Sequence, residues 1–360
     1  MLEVSTQKYN AFGLDISDLS LKIAKLERKG GLKLVSFGGV DIPPKMIEGG
    51  EVKDEKTLSE IIKKCLAGVK GKKIKTKNVI LSLPEEKSFL DILQIPSVKK
   101  EDLEGTVRFE AGNHIPIALE ETYFDFEEIL SDSKDKKYIE VLVAAVPKNI
   151  VDSYSNSLRM ANLKPLVLEV ESLAITRALI EKGISSLPLL IIDFGQTRTS
   201  FIIFAGKNLR FTSTIPISSQ SLTESIARSL KIDLKEAERL KLKYGLEDKK
   251  ELFEAMVPPL TDLIEQIRTH LDYYHSHIPQ DRINADGKEL EKILLCGGGA
   301  NLKGFVEFLT SQLRIPAQFG NPWVNILRKP LKEIPELPFE QSLAYTTALG
   351  LALRGIKDFV

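Results

Sequence analysis

Two stretches of this chain, about half its length apart, repeat one pattern of strands and turns. Residues 11–42 read AFGLDI, SDLS, LKIAKLER, GG and LKLVSFGGVDI, and residues 189–217 read LLIIDF, GQTR, TSFIIFAG, KN and LRFTSTIPI. Each is three apolar or alternating runs broken by turn residues, the pattern of a β-meander. In both copies an Asp ends the first strand, Asp15 and Asp193, and a short polar turn follows at once. A repeat on this scale implies two related lobes. The length of 360 residues agrees, since about 150 residues per domain gives roughly two.

Each meander leads into helical sequence. After the first, residues 54–66 carry apolar side chains at helical spacing behind Asp54 as N-cap, and KNVILSLP reads as a buried strand. After the second, 219–230 and 234–244 read as amphipathic helices, the latter ended by Gly245. A long helix over about 259–275, a strand over 292–296 closed by three glycines, and helices over 302–313 and 341–355 complete the chain. Strands alternating with helices predict an α/β architecture with mixed sheets. Between the lobes, residues 84–164 hold helix patterns at 100–114 and 149–162 and strand patterns at 123–130 and 139–146, with SDSKDKK at 131–137 as a hairpin tip. This reads as a small α+β insertion.

Fifty Lys and Arg against fifty Asp and Glu leave no net charge, which removes the cationic footprint of a generic nucleic-acid binder. The longest apolar runs, 141–146 and 187–192, are about six residues, far short of the roughly 20 that span a bilayer. The N-terminus lacks the basic and apolar regions of a secretory signal, so a cytoplasmic chain is expected. Cys65 and Cys296 are too few for a disulfide framework and read as core thiols. His270, His275 and His277 have no carboxylate at ligand spacing, and the basic run 70–77 reads as a solvated connection.

A carboxylate at a strand end, followed by a turn of outward-facing amides and hydroxyls, suits phosphate and magnesium. Asp15 and Asp193 supply that device twice. The glycines of Cys296-Gly297-Gly298-Gly299-Ala300 let backbone approach a flat ligand such as adenine or ribose. Glu238 and Lys241 are three apart on one helical face, as a ribose-contacting pair or a solvated salt bridge. Glu169 and Glu171, two apart on a strand-like run, are expected on one face.

In this order, FGLDISDLSLKIAKLE, FEAGNHIPIALEETYFDF, IIDFGQTRTSFIIF, ILLCGGGANLKGF and the closing SLAYTTALGLALR resemble the actin-like ATPase superfamily, and within it the PilM branch, relatives of the division protein FtsA. The resemblance implies an actin-like (ribonuclease H-like) two-lobe fold with an SHS2-like insertion. One lobe would comprise 1–83, 165–187 and 336–360, the insertion 84–164, and the other lobe 188–335. It implies ATP or ADP with Mg2+ as cofactors. Asp15, Ser17, Asp18, Ser20 and Lys22 would form the first phosphate loop, and Asp193, Gly195, Gln196, Thr197 and Thr199 the second, with Asp15 and Asp193 holding the metal. Glu238 and Lys241 would meet the ribose, Gly297, Gly298, Gly299 and Ala300 the purine, and Glu171 would orient an attacking water.

Three positions depart from the family's pattern. Ser17 and Asp18 stand where Gly-Ser is usual, so a Cβ crowds the turn and a second carboxylate repels phosphate unless magnesium or Lys22 screens it. Arg198 replaces a small hydroxyl residue, to pair with phosphate or to point to solvent. Weak or absent ATPase activity is therefore expected. The resemblance implies an adaptor of a type IV pilus, or of a related type II secretion or competence system, peripheral at the inner membrane. It would bind the N-terminal tail of a PilN-like membrane protein beside Phe109, His114, Ile115 and Pro116, contact pilus motor ATPases and form homo-oligomers. The alternatives are a sugar kinase, for which no clear catalytic base stands out, and an FtsA-like filament, against which the ending GLALRGIKDFV counts because it carries no amphipathic tail.

Overall fold

The computed structural model describes residues 10–28, 31–129, 137–247, 249–277, 290–327 and 334–356. The expected hairpin tip at 131–137 lies outside them except for Lys137, as do the last four residues.

The first meander is β1 (Phe12–Ile16), β2 (Ser20–Arg28) and β3 (Leu32–Asp41), followed by a small hairpin of β4 (Ile47–Glu48) and β5 (Glu51–Val52). Helix α1 (Glu55–Ala67) starts where Asp54 accepts the Thr57 N–H, as its N-cap position requires. Edge strand β6 (Lys70–Gly71) takes the first residues of the basic run, and β7 (Asn78–Leu83) lies parallel to β1. The inserted unit is β8 (Phe89–Pro96), α2 (Lys100–His114), β9 (Thr122–Ile129) and β10 (Tyr138–Pro147), with strand order β8-β10-β9. It therefore has a third strand that the sequence pattern did not reveal. FLDILQIP alternates imperfectly, and it becomes a strand by pairing along β10 from Phe89 to Pro96.

The chain returns through α3 (Lys148–Met160), which buries Ile150, Val151, Tyr154 and Leu158 in the first lobe's core, and then through β11 (Lys164–Val170). After α4 (Glu171–Leu179) the second meander runs β12 (Ser185–Phe194), β13 (Thr199–Gly206) and β14 (Asn208–Ile215). Helices α5 (Ser219–Leu230), α6 (Leu234–Tyr244) and α7 (Lys250–His277) cover it. Then come β15 (Lys292–Cys296), α8 (Phe305–Leu313), β16 (Ala317–Phe319), α9 (Phe339–Leu343) and α10 (Thr346–Arg354).

Helix α7 begins well before the expected start at Pro259, because its first turns bury Leu252, Ala255 and Met256. Pro258 and Pro259 sit inside it. A proline at 259 cannot donate to the Ala255 carbonyl, and the Ser225 hydroxyl of α5 fills that bond at 2.7 Å.

The two large sheets have one topology. The first reads β11-β7-β1-β2-β3-β6 and the second β16-β15-β12-β13-β14. In each, a meander pairs through its first strand with a parallel strand, and that strand with another. The repeat in the sequence is thus a repeat of the whole sheet, including strands whose sequences show no similarity.

Two helices join the lobes. Helix α4 follows the last strand of the first sheet and packs Ala174 with Ala11 and Ile80 of that lobe, while it buries Ile175 and Leu179 against the second. Helix α10 follows the second lobe and packs on β1 and β2 of the first. It approaches so closely that a Cβ on Gly13 would overlap the Ala348 carbonyl. Where α4 and α10 cross, a Cβ on Gly350 would overlap the Ala174 carbonyl, so the contact is backbone on backbone. Glu169 pins the crossing. Its buried carboxylate takes Arg177 of α4 at 2.5 and 3.0 Å and Arg354 of α10 at 3.3 Å.

Candidate functional site in the cleft between the lobes

The meander Asps stand near the ends of equivalent strands in the two sheets, and each is held from two sides. Asp15 lies opposite Lys22 in the β1–β2 register, and Ser82, at the end of β7, donates its hydroxyl to Asp15 Oδ1 at 3.0 Å. Asp193 lies opposite Ser200 on β13 and Cys296 on β15, with the Cys296 Sγ 3.8 Å from Asp193 Oδ1. Burial keeps the Cys296 thiol well above its usual pKa, so it remains a donor. Ser82 and Cys296 were not singled out as partners of these Asps. The signal was available, as each closes the strand that would lie parallel to an Asp-bearing one.

The first turn closes on itself. Ser17 N–H donates to the Ser20 carbonyl at 2.9 Å, the Ser17 hydroxyl reaches Ser20 O and Oγ at 3.1 and 2.9 Å, and Lys22 Nζ donates to Ser20 Oγ at 2.6 Å. The Ser17 side chain therefore tightens the turn instead of crowding it. Asp18 turns away from the cleft, where its carboxylate accepts the N–H groups of Gly49 and Gly50 at 3.2 and 3.0 Å. The expected repulsion between Asp18 and phosphate is thereby weakened, because those amides and Arg198 already engage the charge.

In the second turn, Gly195 N–H donates to the Arg198 carbonyl at 2.9 Å, and the amides of Ser219 and Gln220 at the start of α5 donate to the Gly195 and Gln196 carbonyls. Gln196 is exposed and Thr197 half-buried. Thr199 is not at the loop surface. It is fully buried and donates its hydroxyl to the Ile217 carbonyl at 2.6 Å. Arg198 does not point to solvent. Its side chain, 12% exposed, reaches across to Asp18 at 3.4 Å and to Glu86 at the entry to the insertion. Two of the three departures from the family pattern, Asp18 and Arg198, are therefore partners.

Of the glycine strand end, Gly297 has φ 90° and a Cβ there would overlap Asp193 Oδ1, so glycine is required by the carboxylate behind it. Gly299 packs on the Phe194 ring and Ser219, Ala300 is wholly buried, and Gly298 is the exposed member. The Ala300 methyl group belongs to the core, so at this position only the backbone is left to face a ligand.

Lys241 is 2% exposed and not a solvated partner of Glu238. Its ammonium lies 2.7 Å from Glu238 and donates to Ser219 O and Oγ and to Thr223 Oγ1 at 2.7–2.8 Å, tying α6 to the first turns of α5. Glu238 also accepts from Thr223 and stays partly exposed.

Glu171 and Glu169 do not share a face. The strand ends at Val170 and Glu171 opens α4, so the alternation stops between them. Glu171 instead joins the buried Asp15 and Glu85 and the half-buried Asp193 in one group of carboxylates. Burial first, then the charges of Asp15, Asp193 and Glu85, hold its carboxyl well above the usual range. Burial and Asp15 push Asp193 up to about 6. Asp15 is raised by burial, against Lys22 and the Ser82 hydrogen bond. Glu85 is likewise raised by burial, while the Ser172 N–H donates to it at 3.1 Å. Lys22 and Arg198 are the cations that act on this group. Among the described residues, no three His, Cys, Asp or Glu side chains are arranged to hold a metal alone. The surplus of carboxylates nonetheless fits a divalent cation that brings oxygen ligands of its own.

On the insertion, Phe109 is 70% exposed on α2, and His114 and Pro116 are exposed beyond it. Ile115 is buried in the insertion's core with Leu93, Val107 and Val141, so its side chain does not belong to a surface groove.

Comparison with known proteins places these features. The solved PilM-PilN type IV pilus biogenesis complex superposes with a TM-score of 0.80 at 28% identity, covering 97% of this chain and 99% of that one. FtsA of Streptococcus pneumoniae is 23% identical over 347 residues, 86% of this chain and 76% of FtsA. FtsA of Pseudomonas aeruginosa is 22% identical over 241 residues, 61% of this chain and 54% of that protein. MreB5 of Spiroplasma citri, solved with ADP, shares the actin-like fold alone, with a TM-score of 0.53 and 12% identity over 93% of this chain and 94% of that one. The model of the family described as type IV pilus assembly protein PilM matches residues 13–356, and so takes in both meanders, the insertion and the triple-glycine strand end. An actin-like pair of sheets carrying this insertion, matched from the first strand to the last helix, makes the chain a member of the PilM family of type IV pilus assembly proteins.

Proposed function

We propose that this chain is a nucleotide-binding adaptor of a type IV pilus assembly platform, or of a related type II secretion or competence system, and that it binds the N-terminal tail of a PilN-like inner-membrane protein at the inserted subdomain. The observation that carries the reading is the end-to-end likeness to the PilM-PilN complex at 97% and 99% coverage. No helix among the described residues is long and apolar enough to cross a membrane, and in this reading the PilN-like partner holds the chain at the inner membrane.

Adenine nucleotide would enter the cleft as its Mg2+ complex. The buried carboxylates repel bare phosphate, and Asp15 and Asp193 would hold the ion, which supplies neutralising charge. Lys22 and the turn of Gln196 and Thr197 would face the phosphates, and the exposed Gly298 would leave room for the adenosine. Before a cation enters, burial and its carboxylate neighbours favour the protonated form of Glu171, so it would act as a base towards water only once bound Mg2+ offsets the charges of Asp15 and Asp193.

The test is a titration of the full chain with fluorescent MgATP and with a labelled peptide of the partner's N-terminal tail. Asp193→Asn is expected to weaken Mg2+-dependent nucleotide binding at least tenfold, and Phe109→Ala to weaken peptide binding about tenfold. A chain that binds neither ligand overturns the reading.

A further inference from the structure

Arg198 stands in the second turn, but its partners belong to other parts of the molecule. The guanidinium meets Asp18 of the first turn and Glu86, in the short 3-10 turn that leads into β8 of the insertion. Asp18 in turn accepts the Gly49 and Gly50 N–H groups at the tip of the β4–β5 hairpin. The Gly50 carbonyl accepts the hydroxyl of Tyr154 at 3.2 Å, and Tyr154 is buried in the middle of α3, the helix by which the chain returns from the insertion. One side chain of the second lobe is therefore connected to both the entry and the return of the inserted subdomain, by way of the first turn.

The chemistry of this junction is exchangeable. A guanidinium presents a planar fork of N–H donors that carboxylate and phosphate compete for on equal geometric terms. Asp18 holds it at the long distance of 3.4 Å, and the junction is largely removed from water, where an incoming anion is weakly screened. Lys22, the other cation at the turns, already donates to Ser20.

Resting on the nucleotide reading above, we propose that Arg198 is a positioning residue that changes partners. The phosphate of a ligand between the two turns takes the guanidinium from Asp18 and Glu86, which loosens the Gly49–Gly50 tip and frees the inserted subdomain to shift. Asp18 and phosphate then oppose one another for the same fork, and by linkage whatever displaces one favours the other.

The test uses the full chain and MgATP. Calorimetry gives the affinity, and amide hydrogen exchange of the segment over residues 47–52 gives the state of the tip. In the wild-type chain, saturating MgATP is expected to speed exchange there about tenfold. In Arg198→Ala the segment should exchange fast without ligand, and MgATP should add nothing. Asp18→Asn keeps an acceptor for the tip but gives up the charge that competes for Arg198, and should bind MgATP about five- to tenfold more tightly. A purely structural Asp18 would leave the affinity unchanged or weaken it, and that outcome overturns the exchange. So does MgATP binding by the wild-type chain with no change over 47–52, or a response that survives Arg198→Ala. A wild-type chain that binds no MgATP removes the nucleotide reading itself, and the exchange with it.

Discussion

The two lobes share a sheet topology, an Asp at the same strand end, and a hydrogen-bond donor in the same parallel neighbour. They differ in what surrounds those Asps. The first lobe places Lys22 directly opposite Asp15 and closes its turn with two serine hydroxyls. The second places the neutral Ser200 opposite Asp193, supports it by a thiol, and sends the cation of its turn, Arg198, across to the other lobe. Pairing of strands is a backbone property, so it survives when side chains diverge, whereas the electrostatics of a site depend on one or two residues. The lobes are thus alike as scaffolds and unlike as electrostatic environments.

The strongest way to break the likeness lies behind the strands. Gly13 and Ile191, each two residues before its Asp, occupy equivalent places, but α10 lies directly on Gly13, while Ile191 fills the core beside α4. Gly13→Leu is expected to cost about 3 kcal/mol or more by forcing α10 away. Ile191→Val should cost about 1 kcal/mol as a small cavity. Urea unfolding of both variants checks this, and equal losses would contradict the asymmetry.

A smaller effect should separate the Asps. Asp193 is raised from 3.8 to about 6, so at pH 7.5 its charge works against the fold, by about 2–3 kcal/mol. As pH falls from 6 towards 4 the folded chain takes up this proton before the unfolded chain does, and the burden lifts. Asp193→Asn is therefore expected to stabilise the chain at pH 7.5 by about 2 kcal/mol, with the advantage fading as pH falls through 6. Asp15→Asn should gain less, because Lys22 and Ser82 already favour the charged form. Unfolding midpoints at pH 7.5 and 5 measure both. A larger gain from Asp15→Asn would reverse the ranking.

The finest distinction is one atom. Cys296→Ser gives the second lobe the donor of the first, and a hydroxyl is a stronger donor than a thiol. The Asp193 titration should move down, with a change in stability of less than about 1 kcal/mol. The pH dependence of the unfolding midpoint, compared with wild type, reads the shift. An unmoved midpoint would mean that the thiol contact has no electrostatic weight.

Much of this was legible in the sequence. The Asp-turn repeat foretold both meanders, and the triple glycine marked the parallel strand beside Asp193. What could not be read was long-range pairing. Asp18 and Arg198 each look unsuited to a phosphate turn when taken alone, and their connection spans half the chain with no local pattern to announce it. Glu171 was misplaced because β11 passes into α4 without a side-chain cap, so nothing in VLEVESLA marks where alternation ends. Thr199, Ile115 and Ala300 were assigned to surfaces by position in a motif, whereas burial is decided by the opposite layer of the fold.

The crossing of α4 and α10 bears on how the lobes can move. Interdigitated side chains act as gear teeth, and sliding one helix over another then demands changes of rotamer. At Gly350 and Ala174 there are no teeth, only main chain against main chain, while the Glu169 carboxylate holds an arginine from each helix. Such a joint sets the separation of the two helix axes by main chain alone, so any side chain added at Gly350 would have to push α4 and α10, and with them the two lobes, apart.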